Sequence, residues 1–193
     1  MLSKYISDNE SRFFEELSSL ISIPSVSSQP EHKPDMKRCA ERWRELLLSS
    51  GVDRAEVMPS NGNPMVYAEK IVSPAAKTVL IYGHYDVMPV EPLDLWRTEP
   101  FEAVIKDGHL WARGADDDKG QSFIQAKAFE FVAKNNLLNH NIKFILEGEE
   151  EIGSPSLGAF CEQHKDLLKA DIILVSDTSM LSADLPSLTT VLR

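Results

Sequence analysis

The sequence predicts an α/β fold, a three-layer sandwich in which helices flank a largely parallel central sheet. Segments with the apolar spacing of amphipathic helices alternate along the chain with short apolar runs, which is the pattern of βαβ units. Three of those runs, residues 79–82, 142–146 and 172–175, are predominantly apolar. Such runs are typical of strands that are buried on both faces of a parallel sheet.

Two helices are predicted at the start of the chain. Ser7 and Glu10 form a capping-box pattern, and apolar residues follow them at helical spacing as far as Pro24. Asp35 is the expected N-cap of the second helix, and Gly51 is its expected end.

The rest of the chain alternates between strands and helices. A hairpin over residues 102–112 is expected to turn at Asp107-Gly108, a dipeptide that suits a two-residue loop. Ser154 and Pro155 are expected to begin a helix as its N-cap and first residue. Strands are predicted near 55–58, 65–69, 79–82, 142–146, 172–175 and 187–192, and helices over 121–134 and 154–168. No repeat or linker divides the 193 residues.

The composition is that of a globular protein, with 42% hydrophobic and 26% charged residues. No apolar run approaches the roughly 20 residues that span a bilayer, so no membrane partner is expected. The N-terminus lacks the basic and then apolar pattern of a signal peptide, which makes a cytoplasmic location the expectation. The net charge of −10 argues against a nucleic-acid partner. Cys39 and Cys161 lack C-x-x-C spacing and are expected to be reduced thiols.

Side chains that bind metals follow three of the predicted buried strands. Because the carboxyl ends of parallel strands lie at one edge of an open sheet, these side chains are expected to converge there. An imidazole with several carboxylates suits zinc and similar divalent ions. The residues are His84 and Asp86 after 79–82, Glu150 and Glu151 after 142–146, Asp177 after 172–175, and Asp117-Asp118 just before a predicted helix.

Three segments of the chain resemble a known family. They are "GHYDVMPVE", "WRTEPFEAVIKDGHLWARGADDDKGQ" and "EGEEEIGSPS". Their patterns H-x-D, R-G-x-x-D-D-K-G and E-E-x-G-S resemble those of the aminoacylase/carnosinase family of co-catalytic zinc metallopeptidases. With "ISIPSVS" the resemblance covers nearly the whole chain, and it is strongest to the cytosolic nonspecific dipeptidase branch. It implies a metallopeptidase that cleaves the amide bond of dipeptides or similar small peptides through a metal-bound water.

The resemblance also implies a metal centre with two divalent ions, expected to be Zn²⁺, with Mn²⁺ or Co²⁺ as alternatives. His84, Asp117 and Asp177 would bind the first ion. Asp117 would bridge to the second ion, to which Glu151 also binds. The substrate implied by this centre is a small peptide.

Two further residues have roles that the resemblance implies. Asp86 would hydrogen-bond the ring nitrogen of His84 that faces away from the metal and so fix its tautomer. Glu150 would be the general base that takes a proton from the water. The peptide bond between Asp117 and Asp118 is expected to be cis.

The chain is shorter than members of this family. Residues 1–193 are therefore interpreted as the N-terminal portion of the catalytic domain, truncated before an inserted lid and dimerisation domain. The last histidine ligand of the second ion would lie in the missing part, and the full-length form is expected to be a homodimer. Two alternatives stay open, namely an N-acyl-amino-acid deacylase with the same metal centre and a catalytically inactive, metal-binding remnant.

Overall fold

The computed structural model describes residues 1–182, 185 and 187. Its strands are β1 (Arg54–Met58), β2 (Met65–Lys70), β3 (Thr78–His84), β4 (Val104–Lys106), β5 (His109–Trp111), β6 (Asn141–Glu147) and β7 (Ile172–Val175). Its helices are α1 (Leu2–Ile21), α2 (Lys33–Ser50), α3 (Lys119–Lys134), α4 (Leu157–Gln163) and α5 (Lys165–Leu168). Short 3₁₀ turns cover Pro30–His32, Leu93–Leu95 and Glu150–Ile152.

The central sheet has five strands in the order β1-β2-β6-β3-β7. β3 lies between β6 and β7 and is parallel to both. β2 is antiparallel to β6 and to β1, so one side of the sheet is antiparallel. The predicted α/β class is confirmed, and the three parallel strands bring their carboxyl ends to one edge.

Helices cover both faces of this sheet. On one face α1, α2 and α3 pack around Trp43, Phe123 and Phe144. On the other face the helices after β6 contribute Phe160 to a second core that contains Ile145. Neighbouring residues of a strand point to opposite faces, which is why Phe144 and Ile145 belong to different cores. The result is the predicted arrangement of three layers.

The predicted end of α2 and the predicted hairpin turn are both confirmed. Gly51 ends α2 in the left-handed conformation, with φ 108°. Asp107 and Gly108 connect β4 to β5 with φ values of 53° and 75°. A type I′ hairpin turn needs positive φ at both central residues, and Asp-Gly tolerates it.

The predicted starts of the first two helices are wrong. α1 begins at Leu2, and Ser7 lies inside it. A tertiary contact accounts for the longer helix, because the Tyr5 hydroxyl donates to Glu130 Oε1 of α3 at 2.6 Å. α2 begins at Lys33, so Asp35 lies in its first turn, where its carboxylate contacts His32 Nδ1 at 2.7 Å.

The predicted continuous helix over residues 154–168 is also wrong. Ser154 has a φ of 52° and does not cap a helix. Its N–H donates to the Glu149 carbonyl at 2.8 Å, and its hydroxyl donates to Glu147 Oε1 at 2.9 Å. Ser154 therefore closes the loop after β6, and the chain forms the two short helices α4 and α5 only beyond it.

β7 is less buried than the sequence predicts. Ile172 and Ile173 are 48% and 67% exposed, and Leu174 and Val175 are exposed as well. Within the described part of the chain, β7 pairs with β3 alone and forms an edge of the sheet. The strand predicted over 187–192 falls outside the described residues, apart from residue 187.

A buried carboxylate joins α1 to α3. Glu130 is fully buried and accepts hydrogen bonds from Arg12 Nη2 at 2.6 Å, Lys127 Nζ at 2.7 Å and Lys134 Nζ at 2.7 Å, in addition to the Tyr5 hydroxyl. Burial acts to raise the pKa of Glu130, but the hydrogen bonds from these residues outweigh it and hold the pKa well below the usual range.

The helices and the two cysteines can be compared with what the composition predicts. Among the described helices, none combines the length and the apolar composition that crossing a bilayer requires. Cys39 and Cys161 are both free thiols.

Candidate metal centre

His84 occupies the last position of β3, at the carboxyl edge of the parallel strands. Its backbone is in register with Glu147, the last residue of the neighbouring β6. On the other side of β3, β7 ends at Val175, and Asp177 follows two residues later. The topology therefore delivers one imidazole and several carboxylates to a single edge of the sheet.

The ring of His84 faces three carboxylates. Nε2 lies 3.0 Å from Asp117 Oδ1, 3.7 Å from Asp177 Oδ2 and 3.9 Å from Glu150 Oε2. One ligand atom each from His84, Asp117 and Asp177 fit together with all separations below 4.8 Å. Tetrahedral ligands about 2.1 Å from a zinc ion are about 3.4 Å apart, which is close to the two distances from His84 Nε2, so these three side chains could hold a divalent ion.

Asp86 holds two parts of the site with one carboxylate. His84 Nδ1 lies 3.3 Å from Asp86 Oδ1 and 3.1 Å from the Asp86 carbonyl oxygen. These acceptors favour a proton on Nδ1, so Nε2, which faces Asp117, is the ring nitrogen that could bind a cation. The same carboxylate accepts the backbone N–H groups of Glu150 and Glu151 at 3.2 and 3.1 Å. Asp86 thereby connects the imidazole to the turn that carries both glutamates.

The adjacent residues Asp117 and Asp118 point in different directions. The peptide bond between them is cis, as expected. The Asp117 side chain is 59% exposed and faces His84. Asp118 is buried, and its Oδ2 accepts the His84 backbone N–H at 3.0 Å and the Ser122 hydroxyl at 2.6 Å. Burial raises the pKa of Asp118 to about 6, although these two hydrogen bonds act to lower it.

The electrostatics of this edge favour a cation. Burial acts to lower the pKa of His84, but the hydrogen bond to Asp86 and the charges of Asp86, Asp118 and Asp117 outweigh it and raise the pKa to about 10. Burial also raises the pKa of Glu151, and the charge of Asp117 adds to this effect. Closely spaced carboxylates repel one another, and a bound cation removes that repulsion.

Comparison with known proteins identifies the family. Residues 80–188, more than half of the chain, match the model of peptidase family M20/M25/M40. The chain belongs to this family. The resemblance deduced from the three sequence motifs is thereby confirmed.

Relatives of this M20 chain include several dipeptidases. It is 32% identical to the cysteinylglycine-S-conjugate dipeptidase of Corynebacterium striatum, over 97% of this chain and 42% of the relative. It is 33% identical to the human Beta-Ala-His dipeptidase, over 96% of this chain and 40% of the relative. The chain thus spans about two fifths of the length of these relatives.

Solved structures of the same family have the same fold. Human carnosine dipeptidase 1 matches with a TM-score of 0.85 and 31% identity, over 93% of this chain and 41% of that chain. An M20 family metallo-carboxypeptidase from Sulfolobus solfataricus matches with a TM-score of 0.81 and 37% identity, over 88% of this chain and 38% of that chain.

Not every residue predicted for the M20 site joins the group around His84. Glu151 is not a member of the three-residue group within 4.8 Å, and its Oε1 accepts the Met88 N–H at 3.2 Å. Glu150 approaches the imidazole but is likewise outside that group. The M20 family implies divalent metal ions, and His84, Asp117 and Asp177 could hold one of them.

Two buried glutamates of this M20 chain, Glu147 at the end of β6 and Glu149 just after it, were not predicted individually from the sequence. Glu147 accepts the Tyr82 hydroxyl at 2.6 Å as well as the Ser154 hydroxyl, and burial raises its pKa. Glu149 accepts the backbone N–H groups of Asn63 at 2.9 Å and Ser156 at 3.1 Å. The available signal was the density of "EGEEE", but its four glutamates look alike in sequence, which hides the fact that Glu147 and Glu149 are structural.

Proposed function

We propose that this chain is the N-terminal portion of the catalytic domain of a metal-dependent dipeptidase. The observation that carries the proposal is the convergence of His84, Asp117 and Asp177 at the carboxyl edge of the parallel strands. The names of the relatives, which include dipeptidases for cysteinylglycine conjugates and for β-alanyl-histidine, support a small peptide as the substrate.

The proposed centre holds two divalent ions, with Zn²⁺ as the first choice and Mn²⁺ or Co²⁺ as alternatives. His84, Asp117 and Asp177 would hold the first ion, and Asp117 and Glu151 the second. The mixture of one imidazole with carboxylate oxygens supports this assignment, because zinc accepts both kinds of ligand. A divalent ion bound there supplies Lewis acidity and lowers the pKa of a water molecule in the site.

Glu150 is the proposed general base. Its Oε2 lies 3.9 Å from His84 Nε2, and 38% of its side chain is exposed, so it faces the space in front of the metal ligands. From there its carboxylate can take a proton from the attacking water and then deliver it to the leaving amine. The backbone hydrogen bond from Glu150 to Asp86 at 3.2 Å keeps the base in place during this transfer.

Asp86 and Asp118 are proposed to support the chemistry without binding the ion. The Asp86 carbonyl oxygen accepts from Nδ1 of His84, and its carboxylate lies 3.3 Å from the same nitrogen, so that Nε2 is left to face the metal. Asp118 accepts the His84 backbone N–H and so fixes the end of β3. The homodimeric assembly and the cytoplasmic location expected from the sequence stay predictions.

Hydrolysis assays with the full-length protein test the proposed function. We expect turnover of dipeptides, loss of that turnover when a chelator removes the metal, and recovery when Zn²⁺, Mn²⁺ or Co²⁺ is returned. Hydrolysis of N-acyl amino acids without any hydrolysis of dipeptides would instead identify a deacylase. Bound metal without turnover of either substrate class would identify an inactive remnant, and both results contradict the proposal.

A further inference from the structure

The segment after β7 is fastened to α3 on both sides of Asp177. The Thr178 N–H donates to Oε1 of Gln121 at 3.1 Å. The Gln125 side-chain amide donates to the hydroxyl of Ser176. Asp177 is thus flanked by two residues, each of which contacts a different glutamine.

The backbone around Asp177 forms a tight turn. The Thr178 N–H also donates to the Ser176 carbonyl oxygen at 2.7 Å, which closes a three-residue turn with Asp177 at its centre. The Asp177 carboxylate at the centre of this turn lies 3.7 Å from His84 Nε2. The position of that carboxylate therefore depends on where the two ends of the turn are held.

Gln121 and Gln125 are suited to hold those ends. They are four residues apart on α3, so their side chains lie on one face of the helix, about 6 Å apart along its axis. Gln125 is only 8% exposed, and its contact with Ser176 is partly buried. α3 starts one residue after Asp118, so the helix that carries the glutamines is also continuous with Asp117.

We propose that Gln121 and Gln125 are positioning residues that set the distance of Asp177 from the other metal ligands. This inference rests on the proposed role of Asp177 as a ligand. The rigid first turns of α3 act as a spacer, with Asp117 just before the helix and Asp177 attached through the two glutamines. Groups that orient metal ligands typically contribute 10-fold to 100-fold to metal affinity.

The test is a measurement of Zn²⁺ affinity in the full-length protein by competition with a chromogenic chelator. Gln121→Met and Gln125→Met keep the side-chain length and remove the amide. Each is expected to weaken the binding of one ion by about 10-fold or more, while the second ion and the unfolding temperature of the metal-free protein stay unchanged. Gln163→Met, at an exposed position on α4, is the matched control and is expected to bind both ions as the wild type does.

Gln121→Glu separates a positioning role from a packing role. A glutamate side chain can still accept the Thr178 N–H. The Zn²⁺ affinity of the Gln121→Glu protein is therefore expected to stay at or above the wild-type value. Gln121 is only partly buried, which keeps the test available if the Gln125 variant fails to fold. Equal losses in Gln121→Glu and Gln121→Met, or wild-type affinity in both Met variants, would overturn the inference.

Asp177→Ala distinguishes failure of this inference from failure of the proposed function. If Asp177→Ala loses one ion while the Met variants bind normally, the glutamines do not position Asp177 but the ligand assignment stands. If Asp177→Ala itself binds both ions with wild-type affinity, the proposed ligand set is wrong and the inference falls with it.

Discussion

Glu150→Gln is expected to lower kcat by about 10²-fold to 10⁴-fold in the full-length protein, the range typical of general acid–base groups. The neutral amide keeps the shape of the side chain and loses its basicity. Metal content is expected to stay near the wild-type value, because the proposed role of Glu150 is proton transfer and not metal binding. KM is expected to change little if chemistry limits both proteins. Glu150→Ala is expected to be at least as damaging.

Glu151→Ala is the matched control for this experiment. Glu151 is the adjacent residue in the same 3₁₀ turn and donates its N–H to the same Asp86 carboxylate. Its loss is expected to lower metal affinity and activity together, since it removes a ligand of the second ion. Loss of metal from the Glu150 variants with retention in Glu151→Ala would reverse the assignment of the pair. A Glu150→Gln protein with more than about a tenth of the wild-type kcat would show that Glu150 is not the base.

Glu130→Ala is expected to lower the free energy of unfolding by about 3–5 kcal/mol, the cost of breaking a buried ion pair by removing one partner. The substitution leaves Lys127, which is 7% exposed, with fewer acceptors inside the protein. It also removes the contacts by which Tyr5 and Arg12 attach α1 to α3. Urea unfolding measures the change. Glu162→Ala, at an exposed position, is expected to stay within about 0.5 kcal/mol of the wild type.

The stabilisation that Glu130 contributes is expected to decrease as the pH falls. Because the native structure lowers the pKa of Glu130, its stabilisation is fully present above the ordinary glutamate pKa of about 4.3. It is lost as the pH falls from there toward the lower native pKa. The difference in stability between the wild type and Glu130→Gln should therefore be constant near neutral pH and shrink in acid. A difference that grows on acidification would contradict the assignment.

Short sequence patterns predicted the central strand, the hairpin turn and the end of α2, because each of these depends on residues that are close together in the chain. The apolar run at 79–82 identified the central strand, and the Asp107-Gly108 turn and the Gly51 stop follow from the conformations that these residues tolerate. The convergence of His84 and Asp177 followed from topology, because His84 ends β3 and Asp177 follows β7, and these are neighbouring parallel strands of one sheet.

Features that depend on distant partners were not predictable in this way. Ser154 matches the pattern of a helix cap, but its hydroxyl donates a hydrogen bond to the buried carboxylate of Glu147 instead. Residue type and spacing did not distinguish Asp118 from its neighbour Asp117, and only the family resemblance did; in the structure Asp118 turns inward to the backbone of His84. Gln121 was not singled out either, because its partner lies 57 residues away in the chain.

Diffraction data collected at the zinc absorption edge from the full-length protein test the central claim most directly. An anomalous peak is expected about 2.0–2.2 Å from His84 Nε2 and from one carboxylate oxygen each of Asp117 and Asp177. A second peak is expected on the other oxygen of Asp117 and on Glu151. Zinc bound elsewhere in crystals of an active protein, with His84, Asp117 and Asp177 free of metal, would contradict the account.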